Sequence, residues 1–398
     1  MAAGGAAGGI FRHPGVLLNG PQIAFVKAKL AAGAEPWTSA LKVAKTRKPP
    51  AYLSSELWAS LTYTPTPVPD VCCGGNTSPD VGCRAEQFDA GAAYTDALIW
   101  AVTGDEQYAK QSIKILNAYS SVLKSHVAPG TLCGSPAGKS SNTPVQSGWT
   151  GALFPRAGEI MRTYPGWAKA DIDRFSGMLR QVFIPNLVNG AINENGNWEL
   201  SMAEALIQIG VFLDDRTTFQ QGVNFWRRRV PAYFYLTSDG PTPKMLPGQK
   251  ATWNGATKYF DGLSQETCRD LGHVQYSLAA TINAAETARI QGLDLYSEES
   301  KRITAALELT ASYLNGATTP DPGCPFNSGT KLGFPNPASN DNPLWEIAYN
   351  HYVTRAGMAL PKTQLEIAKI RPTVADHHMG WETLSHAEVG SVGLLPLQ

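Results

Sequence analysis

The feature that most constrains this chain is a run of amphipathic helical segments, one after another, with no strand–helix alternation between them. The segment 20–33 carries Ile23, Val26 and Leu30 at helical spacing, and 36–47 continues from Pro36. Residues 84–103 place Phe88, Ala92, Leu98 and Ile99 in one pattern that stops at Gly104. Gln107 to Lys124 follow with Tyr108, Ile113, Leu116, Tyr119 and Leu123, and the periodicity returns at 149–162, 168–183, 198–213 and 217–235. It resumes over 274–290, 297–314, 344–357 and 363–370. Apolar residues at such spacing share one stripe, which a helix must bury against a neighbour. Helix pairs recurring without strands predict a mainly α fold, an antiparallel (α/α) toroid or incomplete α/α barrel whose rim loops build a cleft. Minor β pieces are expected only near 236–260 and at the C-terminus. One domain is expected over 13–398. The opening MAAGGAAGG has the look of a trimmed or engineered tail, so residues 1–12 are set apart from the fold.

Charge and cysteine content narrow the function classes. Lys plus Arg and Asp plus Glu balance at 33 each, so no overall field favours nucleic acid or an anionic membrane surface. No apolar run reaches the roughly 18 residues of a membrane span. An anionic ligand would have to be held by local cations and dipoles. The cysteines at 72, 73, 83, 133, 268 and 324 form no CxxC pair and lack the His spacing of a zinc site. Three of them crowd the loop VPDVCCGGNTSPDVGC, which also holds the glycosylation sequon Asn76-Thr77-Ser78. This pattern predicts a secreted protein with disulfides whose connectivity the sequence leaves open; reduced thiols in a cytosolic enzyme are the alternative. The GKS triplet in the loop after Lys124 lacks the spacing and preceding strand of a phosphate loop. No cofactor is expected, and a monomer is.

Chemistry concentrates in YFDGLSQETCRDLGHVQYSL, residues 259–278. If this segment is helical from about Ser264, then Glu266, Arg269, His273 and Tyr276 stack on one face. A carboxylate, a guanidinium, an imidazole and a phenol are costly to desolvate together unless they line a wet cleft. An internal salt-bridge network explains any one of them alone; the four together favour a site. A second stretch, NGAINENGNWEL, sets Asn193, Asn195 and Asn197 in a Gly-broken loop before a helix starting near Trp198. Amides at a helix N-terminus can donate to an anion, and Asn also serves as a plain cap. In the third, NPLWEIAYNHYVTR, Glu346, Tyr349 and Asn350 share a face while His351 looks elsewhere. Aromatics interleaved with polar groups suit sugar rings, although a single Trp or Tyr is as readily a core residue. His377 and His378 would make a metal pair only with a further ligand, so no metal is expected. Arg227 to Arg229 read as a solvated helix face.

The motifs HPG (13–15), WTGALFPRAGEI, NGNW followed by GVFLDD, RDLGHVQY and WEIAYNHY resemble the alginate-lyase-like superfamily of polysaccharide lyases, most of all polysaccharide lyase family 38. The resemblance spans most of 13–386 and is most specific in the RDLGH block and the WEIAYNHY helix. It implies an (α/α) toroid that degrades polyuronates such as alginate or glucuronan by β-elimination. Such an enzyme removes the C5 proton beside a uronate carboxylate and expels O4. It must therefore neutralise that carboxylate with amide and cation donors, a task assigned to Asn197 and Arg269, with His273 as third donor or base. The Arg269–Tyr276 spacing resembles the Arg–Tyr pair of related alginate lyases, which makes Tyr276 the acid at O4. In a syn elimination the same phenolate also takes the C5 proton. Some relatives carry a His directly after the Asn, where this chain has Trp198; that departure puts anti elimination of guluronate in doubt. Asn195, Trp198, Glu266, Glu346, Tyr349, His351 and Trp149, which opens the WTGALFPRAGEI segment, are the expected substrate contacts. Two rivals stand beside the lyase: an inverting hydrolase built on Glu266 or Asp270 with Glu346, and a non-catalytic polysaccharide binder.

Overall fold

The computed structural model describes residues 11–127, 141–325 and 342–397. Helix α1 (Gly20–Ala31) starts at a reciprocal capping box between Asn19 and Gln22, and α2 (Trp37–Thr46) follows. Helix α3 (Cys83–Thr103) ends at Gly104 with φ 78°, a left-handed C-cap that glycine adopts without strain. Asp105 then caps α4 (Glu106–Val122). Next come α5 (Thr143–Met161) and α6 (Lys169–Met178), which runs through a π turn into α7 (Ile184–Leu187). They are followed by α8 (Gly196–Phe212), α9 (Arg216–Tyr233), α10 (Leu271–Ile290), α11 (Leu295–Glu298) and α12 (Ser300–Leu314). Helix α13 (Trp345–Tyr349) continues as a π turn, Asn350–Arg355, before α14 (Pro361–Ile370) and α15 (Glu382–His386).

These helices form an α/α toroid. Helices α3, α5, α8, α10 and α13 pack each against the next as an inner layer, and α4, α6, α9, α12 and α14 lie outside them. The sequence dictates which helix goes where. In α8 the apolar residues run round the whole circumference, and every residue but Trp198 is buried; such a helix has no face to show water. Helix α9 is one-sided, burying Phe219, Val223, Phe225, Trp226 and Val230. A continuous apolar core runs from Phe11 to Ala387. Charges inside the inner layer are tolerated only because they are paired. Glu204 of α8 meets Arg156 of α5, Asn283 of α10 (3.0 Å) and His378 (2.6 Å).

Several expectations need correction. The main sheet is not near 236–260 but joins β1 (Asp70–Cys73) antiparallel to β2 (Asp80–Val81) and parallel to β3 (Ser125–His126). These strands are too short, and too rich in Gly and Pro around them, to leave an alternating pattern. The C-terminal β piece is a hairpin of β4 (Ala375–Asp376) and β5 (Met379–Gly380). Arg229 is no solvated residue: it is fully buried and, with Arg228, pairs with Glu199. Residues 1–10 lie outside the described residues, but Phe11 and Arg12 belong to the fold, Phe11 packing on Phe219 and Arg12 N–H donating to Gln291 at 2.8 Å. Disulfides join Cys73 to Cys83 and Cys268 to Cys324, and Cys72 is disulfide-bonded as well; Cys133 lies outside the described residues. Among the described residues no helix is long and apolar enough to cross a membrane.

Candidate active site

The N-terminal turns of three inner helices, α5, α8 and α10, meet the β4–β5 hairpin at one rim. Small residues let α5 and α8 approach: a Cβ on Gly148 would lie 3.1 Å from the Ser201 backbone. A Cβ on Gly196, the first residue of α8, would lie 2.3 Å from the Tyr233 ring. That packing fixes Asn197 one residue further on. Helix N-termini carry partial positive charge, so this rim favours an anion before any side chain is counted.

The segment carrying Arg269 is not helical, as the face argument required. Helix α10 begins at Leu271, with the Asp270 side chain accepting from the His273 backbone N–H at 2.8 Å as its cap. Glu266 and Arg269 occupy the preceding turn, which the Cys268–Cys324 disulfide ties down. They nevertheless join the same cluster. Glu266 is fully buried, and its carboxylate accepts from Asn197 Nδ2 (2.6 Å), Tyr233 OH (2.9 Å) and Arg269 Nη1 (2.7 Å). It therefore holds Asn197 and Arg269 in place and offers no surface for substrate. Burial, then the Glu266 charge, pushes the Tyr233 phenol well above its usual range, so Tyr233 stays a donor.

Beyond Arg269 the cluster opens. Arg269 is 37% exposed. His273 Nδ1 sits 2.6 Å from Asp270 Oδ2, which leaves its Nε2 unbonded. Burial works to raise the Asp270 carboxyl, but the hydrogen bond and charge of His273 hold it below the usual carboxylate range. One turn on, Tyr276 has ring centroids of His273 at 5.8 Å, Trp149 at 6.1 Å and His377 at 4.7 Å around it. Its hydroxyl makes no hydrogen bond with any described residue. Burial first, then the charge of Asp376 with lesser contributions from Tyr52 and Asp270, raises this phenol well above its ordinary value. Tyr276 is thus kept as a neutral proton donor.

The other sequence candidates fall elsewhere. Trp198 lines a separate cavity of about 330 Å³ with Ile192, Asn193 and Glu194. Asn195 is the N-cap residue of α8, but its side chain makes no capping bond. Glu346 is buried and occupied by Arg371 (Nε at 2.8 Å) and Thr383 (3.4 Å). Tyr349 packs half-buried on the core. His351 stacks on Tyr296 at 3.7 Å, and burial lowers its pKa to about 4. None of these is brought to Tyr276. What the sequence reading missed is the hairpin tip: His377 lies 4.7 Å from both Tyr276 and Trp149, with its Nδ1 on Asp376 at 2.7 Å. The pattern Asp-His-His-Met-Gly was visible, a carboxylate directly before an imidazole at a turn, but nothing local linked it to Tyr276. Among the described residues no group of His, Cys, Asp and Glu is arranged to hold a metal ion.

Comparison with known proteins places this chain among the polysaccharide lyases. The family model for alginate lyase matches residues 42–320, and the chain belongs to that family as a polysaccharide lyase. Solved structures share the fold across almost their whole length. Alginate lyase A1-III from Sphingomonas species A1 superposes with a TM-score of 0.60 at 16% identity, covering 94% of this chain and 97% of that one. A tyrosine-to-phenylalanine variant of A1-III complexed with tetrasaccharide gives 0.62 at 17% identity, with 94% and 97% covered. An alginate lyase from Bacteroides ovatus gives 0.57 at 14% identity, with 94% and 99% covered. Among curated proteins no sequence matches the chain.

Proposed function

We propose that the protein is a secreted polyuronate lyase that cleaves mannuronate-rich alginate or glucuronan by syn β-elimination, leaving 4,5-unsaturated uronate ends. The observation that carries this is the Tyr276 hydroxyl, which has no hydrogen-bond partner among the described residues and stands beside His273, on the same helix-start cluster as Arg269. A uronate carboxylate facing Arg269 and His273 is neutralised, which makes its C5 proton removable; Asn197, buried and donating to Glu266, acts by holding the carboxylate that positions Arg269. Each such donor is worth about 10²–10³-fold in rate. Tyr276 protonates O4 as the glycosidic bond breaks. Chain binding is supported by a cavity of about 630 Å³ that adjoins the hairpin at Asp376 and is lined by Arg47 and Lys48, which pair with no carboxylate among the described residues. These cations suit the carboxylates of neighbouring sugar units. The two disulfides support an oxidising compartment.

The hydrolase alternative loses its carboxylates: Glu266 and Glu346 are buried and fully engaged, which leaves Asp270 alone and bonded to His273. An inverting mechanism needs two carboxyl groups free to work about 6.5–9.5 Å apart. The test is a screen of polymannuronate, polyguluronate, glucuronan and an uncharged glucan, following ultraviolet absorbance of the conjugated product and new reducing ends. Absorbance rising with polymannuronate or glucuronan is the expected result. Reducing ends without absorbance would replace the lyase with a hydrolase.

A further inference from the structure

The elimination needs a proton acceptor as well as a donor, and the surroundings of Tyr276 suit it to only one of these tasks. Burial and the nearby Asp376 disfavour the phenolate. Trp198, one residue after Asn197, has no basic nitrogen, and His351 is stacked in the core on Tyr296. His273 is committed to the uronate carboxylate in the reading above, so a further group beside Tyr276 with a free lone pair is required.

The hairpin tip presents one. His377 Nδ1 lies 2.7 Å from Asp376 Oδ1. Burial works to raise the Asp376 carboxyl, but the charge and hydrogen bond of His377, then the charge of His378, hold it below the usual carboxylate range. An ionised Asp376 accepts the Nδ1 proton, so the neutral ring carries its lone pair on Nε2. That nitrogen has no hydrogen-bond partner among the described residues. The ring centre stands 4.7 Å from that of Tyr276 and 4.7 Å from that of Trp149. His377 itself has φ 46°, in the left-handed region that few residues with a β-carbon adopt. Strain of this kind persists where the surroundings over-determine it, and it collects at functional sites. Its neighbour His378 points the other way, into the core, with Nδ1 on Glu204 at 2.6 Å.

We infer that His377 is the catalytic base, an Asp376-oriented imidazole that works side by side with Tyr276 on one face of the sugar. This rests on the lyase reading above. His377 Nε2 takes the proton from C5, and the C5–H electron pair moves in to form the C4=C5 double bond. The C4–O4 bond breaks with its electrons on O4, which receives the Tyr276 proton. The imidazolium then returns its proton to the adjacent phenolate, and both groups are restored. The net change is transfer of one hydrogen from C5 to O4. Base and acid on the same side define a syn course, which fits mannuronate and glucuronate.

The test uses two variants of the full chain. His377→Asn suits the left-handed backbone and can still donate to Asp376, but it cannot accept a proton. His377→Gly keeps the backbone and leaves room for free imidazole. Expected for His377→Asn is a fall in kcat of about 10²–10⁴-fold with KM within a few-fold of wild type. Added imidazole should raise the rate of His377→Gly. The acid limb of the wild-type kcat/KM profile should vanish in both. Titratable groups whose charge is felt by the pair are Asp376 and the inward-turned His378 on the hairpin, Asp270 and His273 at the start of α10, and Tyr52; all remain in the variants. A near-wild-type rate for His377→Asn, an unchanged acid limb, or no imidazole rescue in a folded His377→Gly would each overturn the role. Failure of the lyase reading looks different: wild type itself would give no ultraviolet-absorbing product on any polyuronate.

Discussion

Two stretches of this chain carry nearly the same chemistry, and the fold uses them in opposite ways. Around 266–276 stand a Glu, an Arg, an Asp, a His and a Tyr; around 346–355 stand a Glu, a Tyr, a His, a Tyr and an Arg. In the first, one carboxylate is sealed by three donors, and Arg269, His273 Nε2 and the Tyr276 hydroxyl are left open. In the second the charged groups are paired and buried, and the unpartnered His351 Nδ1 and Asn350 Nδ2 are shut away from solvent. Glu346 is held by Arg371, Arg355 by Glu286 at 2.6 Å and His351 by the face of Tyr296. Residue type alone therefore does not mark a site; several unpartnered polar groups gathered where they reach solvent do, because there a ligand can complete them.

That contrast can be broken experimentally. Arg355→Met leaves Glu286 buried without its cation, and such a loss costs about 3–5 kcal/mol. Chemical denaturation should show that drop while the folded variant keeps its kcat. Arg269→Ala should lower kcat about 10²–10³-fold with a smaller loss of stability than Arg355→Met, because Asn197 and Tyr233 still donate to Glu266. If Arg269→Ala instead unfolds the protein, the two stretches do not differ as argued.

Acid should attack the closed region first. Burial depresses His351 and His386 to about 4, so both are neutral when folded, whereas in the unfolded chain they bind protons below their ordinary value of 6.5. Stability is thus full above pH 6.5 and is lost as pH falls towards 4. Glu286, held at about 2 by Arg355 against its burial, adds a second loss as pH falls from 4.5 to about 2. A His351→Phe variant should flatten the first slope; equal slopes would show that His351 is not buried as a neutral ring. The smallest effect belongs to the cavity beside the hairpin. Arg47→Gln with Lys48→Gln should raise KM several-fold at low salt, leave kcat alone and lose its effect at high salt, since exposed charges are screened.

Much of the architecture was legible because helix periodicity is local. The segments read at 84–103 and 198–213 are α3 (Cys83–Thr103) and α8 (Gly196–Phe212), shifted by a residue or two at their ends. The start of α10 was misplaced because Asp270, a strong N-cap, ends the turn that precedes it, and Glu266 to Arg269 looked like one more turn of the same stripe. The open cluster was half legible. Arg269, His273 and Tyr276 are near neighbours in sequence and meet in the structure. His377 joins them only through packing across the toroid, and no spacing rule reports that. Glu346 and His351 misled for the same reason, since their partners Arg371 and Tyr296 lie outside the segment.

The most direct measurement of the central claim is the rate at which Tyr276→Phe forms ultraviolet-absorbing chain ends, with polymer binding followed in parallel. Loss of a proton donor should cut turnover by at least about 10²–10⁴-fold and leave binding nearly intact, because the ring and its packing on Trp149 and His377 remain. A variant that turns over at the wild-type rate would show that the open phenol is a bystander and that the chemistry lies elsewhere on the rim.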